Sequence, residues 1–358
     1  MDALGYMKRV LSRVDIPIYL FCFLTARGIM FTFQIFPKGN VSLKILSGIT
    51  ALLCVFLASV AFSAGEKWLY ALHQQRYGET MKGVSSRSFK FLAAPLPGKT
   101  PQETLVFYRN ALLAAAKDQH IALIARNKAD EFVVSEKHFL DTQAGDFAKQ
   151  GLVIRQNYKI PPGTRIGPET KGKLTVKEVS VNSPLPVVAS RLVPAKGAGK
   201  VTKKVEENIF SGQHSVLQAY FEVAFSSHFK EKDLQGGTVA DYAMLYPLLG
   251  ELGVPTDAPL SRMVAYSTQL LPGIFLLPGN VEIELALETW GVSPGKGPAI
   301  VKLSFDGVGY NATAQEIQAL EHFFTTVVMQ GMSPYALPEA SHYMGSKLQA
   351  LRHLLGKQ

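Results

Sequence analysis

Residues 45–64 form a run with neither a charged side chain nor a proline. A helix needs about 20 apolar residues to cross a bilayer, so this run predicts a transmembrane helix. The run before it, residues 16–36, has a similar length and is rich in Phe, Ile and Leu. It carries Arg27 near its middle, which costs about 2.5–3.5 kcal/mol on insertion scales. The rest of the segment offsets that cost, and a second spanning helix is the expectation. An interfacial helix is the alternative. The link Pro37-Lys38-Gly39-Asn40 suits a tight turn between the two. Trp68, Tyr70 and Tyr77 follow where an aromatic belt would sit. The apolar run is too long for a cleaved signal peptide, and no small-residue cleavage site separates it from the second run.

Lys8, Arg9 and Arg13 precede the first run, and Lys67, Arg76, Lys82, Arg87 and Lys90 follow the second. The link holds only Lys38 and Lys44. Basic flanks stay inside. The expectation is therefore an integral membrane protein, of bacterial inner-membrane type, with its N-terminus and its soluble body in the cytoplasm. Both cysteines, Cys22 and Cys54, lie in the apolar runs. The body accordingly has no disulfide framework, thiolate zinc site or cysteine nucleophile.

Beyond the anchor the chain reads as an α+β soluble body behind an N-terminal two-helix transmembrane hairpin. Residues 1–80 are the anchor, with an amphipathic connector at 65–80. Residues 81–154 read as a first α+β lobe, 155–204 as a basic Gly/Pro-rich β or flexible segment, and 205–358 as a second α+β lobe. Thr100-Pro101-Gln102-Glu103 is a capping box with proline at the first helical position, and Leu105, Tyr108, Leu112 and Ala115 share a face of the helix it starts. Residues 88–93 and 132–134 read as strands. Residues 173–181 alternate as a strand, and the opposite phases of Leu174 and Val176 against Val179 and Val181 suggest a bulge. Residues 216–225 and 239–249 read as helical, and 270–277 as a buried strand pair. Val281, Ile283, Leu285 and Leu287 alternate with glutamates, and Val301, Leu303 and Phe305 with Lys302, Ser304 and Asp306. These form an antiparallel hairpin with one polar face. Thr313-Ala314-Gln315-Glu316 starts a covering helix whose Ile317, Leu320, Phe324 and Val327 share a face. Leu348, Leu351 and Leu355 mark a terminal helix docked on the body.

Two signals bear on chemistry. Ala93-Ala94-Pro95-Leu96-Pro97-Gly98-Lys99-Thr100 approaches the spacing of a phosphate-binding loop, which makes Gly98, Lys99 and Thr100 candidate nucleotide contacts. Pro95 and Pro97 remove two of the backbone donors that such a loop needs. The second signal is charge. Residues 155–204 hold eleven Lys or Arg against Glu169 and Glu178, and the surplus equals the net +9 of the whole chain. Lys171, Lys173, Lys177, Arg191, Lys196, Lys200, Lys203 and Lys204 are its candidate contacts for an anionic partner. That partner is an acidic protein, an anionic lipid or nucleic acid. Tyr158 is the segment's single aromatic, so the stacking platforms of a single-strand binder are missing.

The eight histidines form no ligand pair or nucleophile constellation, no metal or catalytic set stands out, and no cofactor is implied. The reading that follows is a non-enzymatic structural or docking subunit of a membrane-embedded assembly, for example a secretion or DNA-transfer system. In that reading the basic segment recruits an acidic partner. A membrane-anchored nucleotide-dependent enzyme and a membrane-tethered nucleic-acid-binding protein are the alternatives.

Overall fold

The computed structural model describes residues 18–25 and 28–35, and residues 85–356 except 161–163, 182–188, 197–199, 212–216, 235–236, 295–296, 309–313, 339 and 344–345. The second apolar run and the connector lie outside the described residues. The chain divides into two units, residues 1–75 and 76–358.

In the first unit, β1 (Ile18–Thr25) pairs antiparallel with β2 (Gly28–Ile35), Ile18 opposite Ile35 and Thr25 opposite Gly28. This corrects the first spanning helix. Phe and Ile lead the composition of the two strands, and aromatic or β-branched side chains suit a pleated surface as well as a helix. Gly28 stands where the chain reverses. Among the described residues no helix is long and apolar enough to cross a membrane.

The second unit is built from β3 (Ser86–Ala93), helix α1 (Pro101–Asp118), β4 (Leu123–Ala125), β5 (Phe132–Thr142), β6 (Leu152–Tyr158), β7 (Lys171–Ser180), β8 (Val201–Ser211), β9 (Leu217–Lys230), β10 (Leu260–Leu277), β11 (Val281–Gly291), β12 (Ile300–Val308), α2 (Ala314–Phe323) and α3 (Lys347–Leu354). The strand order β11-β12-β3-β8-β9-β7-β6-β5-β10 closes through a β10–β11 pairing into a nine-strand barrel, and the short β4 adds to β10. All pairs are antiparallel except β3 with β8, so the barrel is mixed. Residues from all three stretches of the body supply strands to this one barrel.

Closure covers both faces along most of the wall, and the two faces differ. Outside the wall, Phe89, Leu285, Leu287, Leu303 and Phe305 pack under α1 and α2 through Leu105, Tyr108, Leu112, Leu320 and Phe324. A second outer core joins Ile154, Leu174, Val176, Val223 and Phe225 to Tyr242, Tyr246 and Leu249. Thr100 caps α1, with the reciprocal Glu103 contact in place. After Phe323 the helix continues as a π-helix, Phe324–Gln330, with Phe324 and Val327 buried.

Two-sided burial also explains where pattern reading slipped. Residues 217–225, expected as helix, lie in β9, because an apolar run whose two faces are both covered carries no clean period. The expected bulge near Val179 is absent. β7 pairs without a register shift from Lys171 to Ser180, and Val179 sits on the inner phase. Residues 270–277 belong to one long strand whose register shifts between Leu270 and Gly273, around Pro272. Gly273 is required there, since a Cβ would lie 2.2 Å from the Ile124 carbonyl oxygen of β4.

Candidate functional site

The inner phase of the barrel is polar. Cross-strand register places Ser304 opposite Lys90, Ser88 opposite Asn208, and Glu206 opposite Glu222. Further round the wall, Lys177 lies opposite Val153, Arg155 opposite Thr175 and Phe139, and Glu288 opposite Lys302. The polar face that the sequence assigns to the β11–β12 hairpin is therefore the face on which Glu288 and Lys302 look into a lumen. Within the lumen is a cavity of about 430 Å³, lined among others by Lys90, Arg155, Lys177, Lys302, Lys347, Glu206, Glu222, Tyr220 and Trp290.

One end of the lumen is covered by α3. Leu348, Ala350 and Leu351 pack on the inward-facing Leu92, Phe139, Trp290 and Ile300. Lys347, at the first turn of this helix, reaches inward to Glu288, and its ammonium lies 4.6 Å from the centre of the Trp290 ring. Lys137 approaches the same carboxylate from β5, at 2.9 Å. Arg352 lies 3.8 Å from Asp141, whose carboxylate also accepts the backbone N–H groups of Thr142, Phe147 and Ala148.

The carboxylates of the lumen are engaged by lysines. Lys177 meets Glu222 at 2.5 Å and Lys204 meets Glu206 at 2.7 Å. Burial alone would raise the Glu222 carboxyl, but the Lys177 and Lys90 ammonium groups more than reverse this and hold it well below the usual carboxylate range. Glu288 is depressed in the same way, its burial outweighed by Lys137 and Lys347. The Lys90 ammonium donates to the Tyr220 hydroxyl at 3.1 Å.

The cations are less completely matched. Lys302 makes no hydrogen bond or ion pair with the described residues. Burial, then the neighbouring Lys90, pushes its amine down to about 8. The Arg155 Nε is buried without a partner, and burial lowers the affinity of this guanidinium for its proton. Among the described residues no group of three or more His, Cys, Asp or Glu could hold a metal ion.

The sequence candidates distribute unevenly over this geometry. Lys177 lines the cavity. Lys173 and Lys204 share the inner phase toward the opposite end from α3. Burial lowers Lys173 first, followed by Arg155, Lys159, Lys177 and Lys204 around it. Lys171, Lys200 and Lys203 are exposed, as are Lys196 and Arg191, the latter 3.9 Å from Glu251. Thr100 is occupied as the α1 cap, and Lys99 lies beside Glu103 at 3.5 Å. Gly98 adopts a positive φ of 72° in the preceding turn. None of these three lines the cavity. Sequence reading missed Lys90, Lys302, Lys347, Glu206, Glu222, Glu288 and Trp290 as a set. The available signal was the inner period of β3, β11 and β12, which places Lys90, Glu288 and Lys302 on one phase.

No family model and no curated protein matches the chain. Among solved structures, it is similar to a candidate adenylyl cyclase from Hippeastrum described as having a dominant triphosphatase activity (14% identity over 76% of this chain and 96% of that chain, TM-score 0.36). It is also similar to a candidate adenylate cyclase from Bacillus halodurans (10% identity, 73% and 97% covered, TM-score 0.34). A third is a protein of Pyrococcus horikoshii OT3 (11% identity, 76% and 99% covered, TM-score 0.32). The docking-subunit reading is corrected at this point, and with it the leaning away from an enzyme. The basic segment is not a self-contained surface patch: Arg155 and Lys177 join Lys90, Lys302 and Lys347 inside a closed barrel, around a cavity.

Proposed function

We propose that the barrel is an enzyme acting on a triphosphate-bearing substrate, a nucleoside triphosphate or inorganic tripolyphosphate, bound in the lumen. One observation carries this reading. Lys90, Arg155, Lys177, Lys302 and Lys347 converge on one cavity with Glu206 and Glu222, and the Arg155 Nε–H is buried there without a protein acceptor. A buried, incompletely matched cation is costly, and a chain of phosphoryl groups supplies the missing anions. Arginine suits bidentate phosphate contact and lysine acts as a point charge. Fixed cations around a phosphoryl group also stabilise charge that spreads over its oxygens as a phosphoanhydride bond breaks. The triphosphatase activity described for the Hippeastrum protein is of this class.

The test is phosphate release from ATP and from tripolyphosphate by the purified full-length protein in mild detergent. Arg155→Ala is expected to reduce turnover by about 10²-fold, the loss typical of removing one stabilising donor. Absence of turnover with either substrate across a range of pH and cation conditions would sink the reading.

The uncharged run at residues 45–64 supports a membrane-anchored form of this enzyme, with the barrel on the cytoplasmic side. Retention in the membrane pellet after alkaline carbonate washing is the expected behaviour, and release into the supernatant argues against it.

A further inference from the structure

We infer that the lumen takes the phosphate chain directly on its ammonium and guanidinium groups, without a bridging divalent cation. The inference rests on the triphosphate reading and specifies how that site recognises its ligand.

Sites that bind phosphate chains through Mg²⁺ or Ca²⁺ present carboxylate oxygens free to coordinate the ion, and such hard cations need several oxygen ligands. Here the lumen glutamates are already committed. Glu222 faces Lys177 at 2.5 Å, Glu206 faces Lys204 at 2.7 Å, and Glu288 is clasped by both Lys137 and Lys347. A divalent ion would have to share the Glu222 and Glu206 carboxylates with the ammonium already on each, and to displace one from Glu288. It would also enter a space where the positive charge of Lys90 already weakens the hold of Lys302 on its proton. Asp306 is the remaining inner-phase acid on β12, with an oxygen that is buried and unpartnered. One carboxylate does not make a site for such an ion.

The opposite polarity is well provided for. The Arg155 Nε is buried without a protein acceptor, and Lys302 is buried beside the positive charge of Lys90. They stand on β12 and β6, so a ligand reaching both spans the lumen. Lys302 and Arg155 thus meet the chain directly, while the lysines on the glutamates crowd the carboxylates that a metal would need.

The experiment is calorimetric titration of inorganic tripolyphosphate into the full-length protein in mild detergent, once with EDTA and once with excess Mg²⁺. Binding in EDTA is expected, with Mg²⁺ leaving the affinity unchanged or weakening it because the cation competes for the free ligand. Binding that appears only with Mg²⁺ overturns the inference and leaves the triphosphate reading standing. No binding under either condition removes both. A second arm uses Glu206→Gln, with folding checked by circular dichroism. Loss of one lumen charge is expected to tighten binding by about tenfold. A metal ligand would behave oppositely, and weakened binding in a folded Glu206→Gln protein overturns the inference.

Discussion

Lys302 shows how one side chain inherits its chemistry from two neighbours on a sheet. It lies on β12 directly opposite Glu288, but Glu288 is shared with Lys137 and Lys347, so burial and the neighbouring Lys90 outweigh the help of Glu288 and Asp306. Its amine falls from 10.5 to about 8. A bound anion holds the protonated form, so affinity for tripolyphosphate is full below pH 8 and drops as the pH rises through that value. The expected loss between pH 7 and 9 is about tenfold. Lys302→Arg should bind with a nearly flat profile over that window, because guanidinium stays charged. An unchanged slope in that variant would assign the titration to another group. Folding stability moves the other way. The unfolded chain holds this proton up to about pH 10.5 while the native state releases it above 8, so the contribution of Lys302 to unfolding free energy increases with pH between those values.

At the level of elements, helices with strong local signals were legible and strands of a closed barrel were not. The α1 helix was readable from Thr100, Pro101 and Glu103, and its buried stripe from Leu105, Tyr108 and Leu112; Ala116 replaces the expected Ala115. The β11–β12 hairpin was readable because its alternation is clean. β9 was not, since Phe221, Val223 and Phe225 face the outer core while Tyr220, Glu222 and Ala224 face the lumen, all of them buried. The terminal helix was expected to dock, but sequence offered no sign that it docks over the end of a tunnel and delivers Lys347 into it. That arrangement makes α3 a structural and a functional element at once. Leu351 is fully buried against the inward residues of this end. Leu351→Ala should lower stability by about 2–5 kcal/mol if the cavity persists, read as a shift in urea midpoint. The variant should also change emission from Trp290, since α3 holds Lys347 over that ring. A stability loss under 0.5 kcal/mol with unaltered emission would mean that α3 does not seal the lumen.

For the whole molecule, closure is the property no local pattern announces. It depends on β5 meeting β10 and β3 meeting β12 across long stretches of sequence, and on β3 meeting β8 in parallel across more than a hundred residues. The candidate site is illegible for the same reason: Lys90, Arg155, Lys177, Lys302 and Lys347 are dispersed along the chain and meet only when the wall closes. The net charge of +9 did hint at an anionic ligand, but its concentration in residues 155–204 drew attention to lysines that remain exposed, such as Lys171 and Lys200. A ligand held by β3, β6, β7, β12 and α3 touches distant parts of one cooperative unit, so its binding energy should appear as stabilisation of the entire barrel. With ligand at 100 times its dissociation constant the gain is about 2.7 kcal/mol. For a unit of this size that corresponds to a rise in Tm of about 5–10 °C, measured by differential scanning fluorimetry with tripolyphosphate. High salt should shrink the shift, because the lumen charges are reached through solvent and screened. An equal concentration of monophosphate should give a smaller rise, since it cannot reach Arg155 and Lys302 together. Equal shifts for the two anions would mean that a single surface contact, and not the span of the lumen, is what the ligand occupies.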